Sequence, residues 1–455
     1  MVDLTIENGK VFLEAGLVEA DLSINNGKIV AIGRKSSLPK SGNTIDATGK
    51  IILPGAIDVH THILDLVYAY REDFFTGTQA AASGGVTTVL EMPLGIEGKS
   101  ALEVFDMQLN EMGKKCVVDF GLIGSAGYST LHCIRKFADK GCLAFKTFMI
   151  NPPEEEAELQ NLAAKNEYYL LRIFTEIAKT GLVASVHAEN DAIIAHEIDR
   201  LRSAGRTDFS AHTESRPPIA EDEACVSALV LADQAKVKLN LVHMSSKNAF
   251  TSIRAAKQKG VNVTCEVTPH HLLLTSEEGA RIGPWAKVDP PLRSEAHVKA
   301  AWKALNDGTI DMVASDHSPY GRKEKGSHNI FECGSGTPGV ETLLPVMLDA
   351  VNRKKTTLKR LVKTTAVQPA QRFRLYPRKG IIAVHADADL VIVDMNKEYK
   401  IKNENMFTKP QVTVFNGMVV QGAVEKTIVR GTVVYDQGEF GVKKGYGKFV
   451  TPQRL

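Results

Sequence analysis

Between about residue 52 and residue 380, short runs rich in Val, Ile and Thr alternate with longer amphipathic stretches. That alternation of period-two and helical-period segments is the signature of βαβ units, and it limits the fold more than any other feature. Eight candidate strands end near DVHTH (58–62), TTVLEM (87–92), VVDFGLIG (117–124), LAFKTFM (143–149), VASVHAEN (183–190), LNLVHMS (239–245), VTCEVTPH (263–270) and IDMVASDHS (310–318). Eight units over this span predict a (β/α)8 TIM barrel with insertions. A doubly wound open sheet is the runner-up, but no GxGxxG follows an early strand.

The ends of the chain read differently. DLTIENGKVF, ADLSINNGKIVAIG and NTIDATGKIILPG at the front are short strands split by Gly turns, with Asn-Gly pairs at two of them. ADADLVIVDM, QVTVFNG and KTIVRGTVVYDQGEF near the other end look alike. Both termini are therefore expected to build one small β-sandwich domain. The division is residues 1–51 plus 385–441 for that domain, 52–384 for the barrel and 442–455 for a tail.

With 455 residues, a net charge of +2 and no dense basic run, nucleic acid is a poor partner. Six scattered cysteines without CxxC spacing suit buried thiols in a reducing compartment better than a disulfide frame. No basic start with an apolar run opens the chain, and no uncharged apolar stretch nears the roughly 18 residues of a membrane span. A cytoplasmic protein is expected, with no membrane partner.

Metal-capable side chains fall at the C-terminal ends of the candidate strands. His60 and His62 lie two apart, so on a strand both imidazoles share a face. Lys146 ends the fourth strand, His187 the fifth, His243 the sixth and Asp316 the eighth. Any one could be core or surface; six on five strand ends of one barrel point to an active end. Lys146 cannot ligate as an ammonium, and a lysine snorkelling at the rim is its plain reading. A desolvated lysine can lose its proton, however, and a neutral amine can add carbon dioxide to become a carbamate. Two divalent ions, one carbamate, Asp316 and one hydroxide leave a net charge of about +1, an electrophilic site. His270 and His271 in TPHH close the seventh strand and are read as supporting rather than ligating. His317 is read as core or hydrogen-bonded.

The set HTH, FKTF, VHAEN, VHMSS and SDHSP resembles the cyclic-amide branch of the amidohydrolase superfamily, which holds hydantoinases, dihydropyrimidinases, allantoinases and dihydroorotases. The resemblance runs from ILPGAIDVHTH through SRPPIAEDEA and KVDPPLRS to KTIVRGTVVYDQG. It implies two zinc ions bridged by a carboxylated Lys146, with His60, His62 and Asp316 on one and His187 and His243 on the other. It further implies a catalytic acid/base role for Asp316, backbone contacts to the substrate's imide edge near Asp289 and Ser335, and a homo-oligomer, tetramer or dimer. The substrate would be a cyclic amide or ureide. HTHILDL, ARIGPWAKVDPP and GYGKFV look most like L-type hydantoinases, with allantoinase and then dihydroorotase as alternatives. Leu64 stands where a dihydroorotase-like chain carries Arg, and the nearby Arg71 has no position readable from sequence. KTFMINPPEEEAEL could supply a lid, with Phe148 and Tyr68 lining the pocket beneath it. A non-catalytic scaffold relative would have replaced several ligands, and all six positions survive here.

Overall fold

The computed structural model describes residues 1–152 and 157–453. Eight parallel strands form one sheet in strict chain order: Ala56–Thr61, Val86–Glu91, Asp119–Ser125, Ala144–Phe148, Val183–His187, Lys238–Leu241, Val263–Val267 and Met312–Val313. The first and last are joined at their C-terminal ends, where Thr61 bridges His317 and His62 N donates to His317 O at 2.7 Å. Below that junction, buried Asp58 Oδ1 accepts from Ser315 N at 3.1 Å and His60 N at 3.3 Å. The sheet thus closes into the (β/α)8 barrel, with helices outside. In Glu167–Thr180 the buried residues are Leu170, Ile173, Phe174 and Ile177, one helical stripe. Asn166 caps its start by accepting from Tyr169 N, and left-handed Gly181 (φ 69°) ends it.

Strands from both termini build the small β domain. One sheet has four strands within residues 4–46; the other has six, in which Ile51–Pro54 pairs antiparallel with Leu390–Lys400. Ile6, Val11, Ile24, Ile52, Leu390 and Ile428 pack between them. DLTIENGKVF is two strands, Leu4–Glu7 and Lys10–Leu13, one in each sheet, because Asn8 turns the chain at φ 64°. The tail returns to the barrel, where Phe120 N donates to Lys448 O at 3.0 Å.

Two readings need correction. Gln411–Gly417 is not a strand: Val412, Thr413, Val414 and Phe415 are all buried rather than alternating. Its amides are taken locally instead, Thr413 N by Asn403 Oδ1 and Phe415 N by Thr413 Oγ1. His270 and His271 do not close the seventh strand, which stops at Val267; Thr268 caps a short helix, Pro269–Leu273, that carries both. All six cysteines are buried and unpaired. Among the described residues no helix is long and apolar enough to cross a membrane.

Candidate active site

His60, His62, Lys146, His187, His243 and Asp316 converge at the C-terminal end of the barrel. His60 Nε2 lies 3.1 Å from His62 Nε2, 3.2 Å from Asp316 Oδ1 and 3.2 Å from Lys146 Nζ. On the facing strands, His187 Nδ1 lies 3.1 Å from His243 Nε2. The sequence places these groups by period: His60 and His62 share a strand face, Lys146 lies mid-strand in Ala144–Phe148, and His187, His243 and Asp316 sit at or just past the ends of their strands. His243 and Asp316 have φ of 39° and 51°, left-handed values that turn the chain sharply off its strand. Such conformations cost energy in non-glycine residues and cluster where side chains must be aimed.

Around this cluster lies a layer of carboxylates unread in the sequence. Glu266 Oε2 meets His60 Nδ1 at 3.0 Å, and Asn240 Nδ2 donates to its other oxygen. Glu189 Oε2 accepts from His187 Nε2 at 2.7 Å. Glu91 accepts from Thr61 Oγ1, Ile63 N and Leu64 N, fixing the turn after His62. The signal was present: each is an acidic residue in an apolar strand or in the VHAEN run, and a buried carboxylate must find donors.

The electrostatics favour a cation-binding centre. Burial, then the neighbouring positive charge, holds His60 and His243 well below the usual imidazole range, so both are neutral. Burial would raise Asp316, but His60, His62 and His243 outweigh it and hold the carboxyl well below its ordinary value. Burial lowers Lys146 to about 8. Glu189 is likewise pushed up by burial but more strongly down by Arg216 and His187. An ionised Glu189 keeps the proton of His187 on Nε2, so Nδ1 offers its lone pair toward His243. Imidazole nitrogens 3.1 Å apart in two pairs, beside an ionised carboxylate, are donors of the kind that divalent ions take. His60, His62 and Asp316 offer ligand atoms all within 4.8 Å of one another.

His62, Lys146, His187, His243 and Asp316 floor a cavity of about 370 Å³, with fully buried His60 packed against them. Asp289 and Ser335 both line it, as do Phe148, Leu64, Ile150, Leu159 and Phe331. The Asp289 side chain pairs with Arg216 Nη2 at 2.9 Å. Burial would raise it, but Arg216, His212 and Lys287 bring it to about 2. The Ser335 loop is pressed close: a Cβ on Gly336 would sit 2.4 Å from Ser318 Cβ. Arg71 also reaches the cavity wall, its guanidinium 3.7 Å from the Tyr68 ring centre and 4.4 Å from that of Tyr320, with Nε 3.1 Å from Glu324 Oε1. Tyr68 therefore stacks on Arg71. Of the proposed lid, residues 153–156 lie outside the described residues. His317 is buried, its Nδ1 accepting from Gly339 N at 3.2 Å. His271 is spent on Thr268 Oγ1 and Pro290 O.

A model of the amidohydrolase family matches residues 51–434. An L-hydantoinase of Paenarthrobacter aurescens is 37% identical, covering 99% of this chain and 98% of the relative. A dihydroorotase of Methanosarcina acetivorans is 36% identical (99% and 96%), and an allantoinase of Bacillus licheniformis 34% (98% and 99%). The solved L-hydantoinase (dihydropyrimidinase) of Arthrobacter aurescens superposes with a TM-score of 0.94 at 36% identity, covering 99% of this chain and all of the other.

Proposed function

The chain belongs to the amidohydrolase family, and from that premise we propose that it hydrolyses a ring amide of a hydantoin- or dihydropyrimidine-type substrate. The observation that carries this reading is the convergence of His62, Lys146, His187, His243 and Asp316 on one cavity floor, with His60 buried against them. His60, His62 and Asp316 would hold one zinc ion and His187 and His243 a second. Lys146, neutral and carboxylated by carbon dioxide, would lend an oxygen to each. Bound there, divalent ions supply a Lewis acid for the ring carbonyl and an acidified water. Asp316, kept ionised, takes the proton of the attacking water on its carboxylate and returns it to the leaving ring nitrogen. The backbones of Asp289 and Ser335 orient the imide edge. Leu64, Phe148, Ile150 and Leu159 form an apolar wall for the ring substituent.

That wall selects among cyclic amides. Arg71 is within reach of the cavity, but Glu324 already balances its charge. A substrate carboxylate would have to displace that partner or lie unpaired against Leu64, a cost of several kcal/mol. Neutral 5-substituted hydantoins avoid it. The same reading expects a dimer or tetramer in the cytoplasm. The test measures kcat/KM for a 5-substituted hydantoin, dihydrouracil, allantoin and dihydroorotate at one pH with excess divalent metal. Hydantoins should open fastest, dihydroorotate far slower, allantoin between them. Dihydroorotate as the best substrate would mean that Arg71 or another cation of the wall takes the carboxylate, and would overturn the substrate assignment.

A further inference from the structure

A chain of ion pairs runs from the metal side of the cavity to its substrate wall. Glu189 lies two residues beyond His187, and its Oε2 accepts from His187 Nε2 at 2.7 Å. The same oxygen is held by Arg216 Nη1, while Arg216 Nη2 reaches Asp289 Oδ2 at 2.9 Å. The side chains of Glu189 and Arg216 are 1% and 11% exposed, so their contact is shielded from solvent. The backbone beneath the guanidinium is itself pinned: Arg293 Nη1 donates to Arg216 O, and Arg293 Nη2 lies 3.2 Å from Glu221 Oε2. Arg216 ends the helix Phe209–Ser215 and Asp289 lies in the segment after Ala286, so one side chain spans three parts of the chain.

This arrangement does more than neutralise charge. The Glu189 carboxylate sets which nitrogen of His187 carries the proton, and with it which nitrogen faces His243. Without Arg216, buried Glu189 would keep only the His187 contact and could rotate about it. A planar guanidinium can hold two carboxylates on separate nitrogens in a fixed geometry; a lysine ammonium cannot reach both with that fork. We propose that Arg216 is a positioning residue that ties the orientation of the ligand His187, through Glu189, to the pocket carboxylate Asp289. The inference rests on the reading above that His187 binds a divalent ion.

Zinc-loaded full-length protein provides the test, by timing zinc release to a chelator and measuring KM and kcat separately. R216M and E189Q should each release zinc on the order of tenfold to a hundredfold faster than the wild type, the usual cost of losing an outer partner of a metal ligand. Because both act along one path, E189Q/R216M should release it no faster than E189Q. D289A removes the anchor at the far end of the chain, so it should raise KM and also speed release, though by less than R216M. Should R216M fail to fold, R216K decides the matter, since it keeps the charge but not the double contact and should also release faster. Wild-type release rates in R216K and R216M would overturn the proposal, and a wild-type release rate in D289A would overturn the tie to Asp289. A wild-type protein that binds no divalent ion would instead overturn the metal reading itself, and this inference with it.

Discussion

Lys146 is fully buried, 3.2 Å from His60 Nε2, with no carboxylate among the described residues in ion-pair contact with it. Burial brings it to about 8, so at mildly alkaline pH it is an amine able to form an N–C bond to carbon dioxide with loss of a proton. Lys146→Ala should therefore strip most bound metal and nearly all ring-opening activity. Short-chain carboxylates at high concentration should partly restore both, measured as metal content and turnover in the same sample. Full metal content in the alanine variant would remove Lys146 from the centre. Asp316 carries two duties that one substitution separates. Its φ of 51° is a conformation asparagine tolerates well, so Asp316→Asn leaves the backbone at ease. The amide oxygen still ligates weakly but takes no proton. Turnover should fall about 10²–10⁴-fold, the usual cost of a lost general base, and metal affinity should fall less. Near-normal turnover with metal bound would assign the proton to another group.

Two buried carboxylates gather one turn of the C-terminal segment onto the barrel. Glu341 accepts from Phe407 N at 2.9 Å and Thr408 N at 3.2 Å, and Glu72 from Lys409 N at 3.0 Å. Burial raises both to about 7, against an ordinary value of 4.5. Between those limits the folded chain keeps a proton that the unfolded chain has released. Stability from these groups therefore declines as pH rises from about 4.5 to about 7, and the penalty is constant above. Glu341→Gln removes one such penalty, so its Tm relative to the wild type should climb across that interval and then level off. A difference independent of pH would mean that Glu341 is ionised throughout. Glu341 also shows where sequence reading stops. The eight strands and six site residues were legible because alternation and strand-end position are local properties. The Gln411–Gly417 segment misled because its Val and Phe residues look like a strand, yet among the described residues it pairs with none. Its amide at Thr413 is held by Asn403, and the turn before it is held by Glu341 far back in the chain, contacts that periodicity does not report. Arg71 and Arg216 were opaque for the same reason: Glu324 and Asp289 find them only in three dimensions.

At the scale of the molecule, one buried cluster joins barrel, β domain and tail. Lys379 Nζ, 1% exposed, lies 2.7 Å from Asp119 Oδ2 at the start of the third barrel strand. It also lies 2.5 Å from Asp389 Oδ2 and 3.4 Å from Asp387 Oδ2, just before the β-domain strand Leu390–Lys400. Arg430, in the turn between the last two strands of that domain, pairs with Asp119 and donates to Tyr446 O at 2.8 Å in the tail. Three carboxylates so close together could hold a cation, and the lysine ammonium already occupies their centre. Lys379→Met would leave buried Asp119 and Asp389 to Arg430 and the flanking amides, while Asp387 keeps Lys28. Removing one partner from a buried ion pair costs about 3–5 kcal/mol, because the other charge stays desolvated. Both tryptophans, Trp285 and Trp302, belong to the barrel, so their fluorescence follows barrel unfolding while circular dichroism follows the whole chain. Since Asp119 sits in the barrel sheet itself, the two midpoints should fall together in Lys379→Met. Zinc retention at 25 °C should stay as in the wild type, because the cluster lies at the opposite end of the strands from His60 and His187. A lower midpoint by circular dichroism with an unmoved tryptophan transition would confine the cluster to the β domain and deny it a role in joining the two halves.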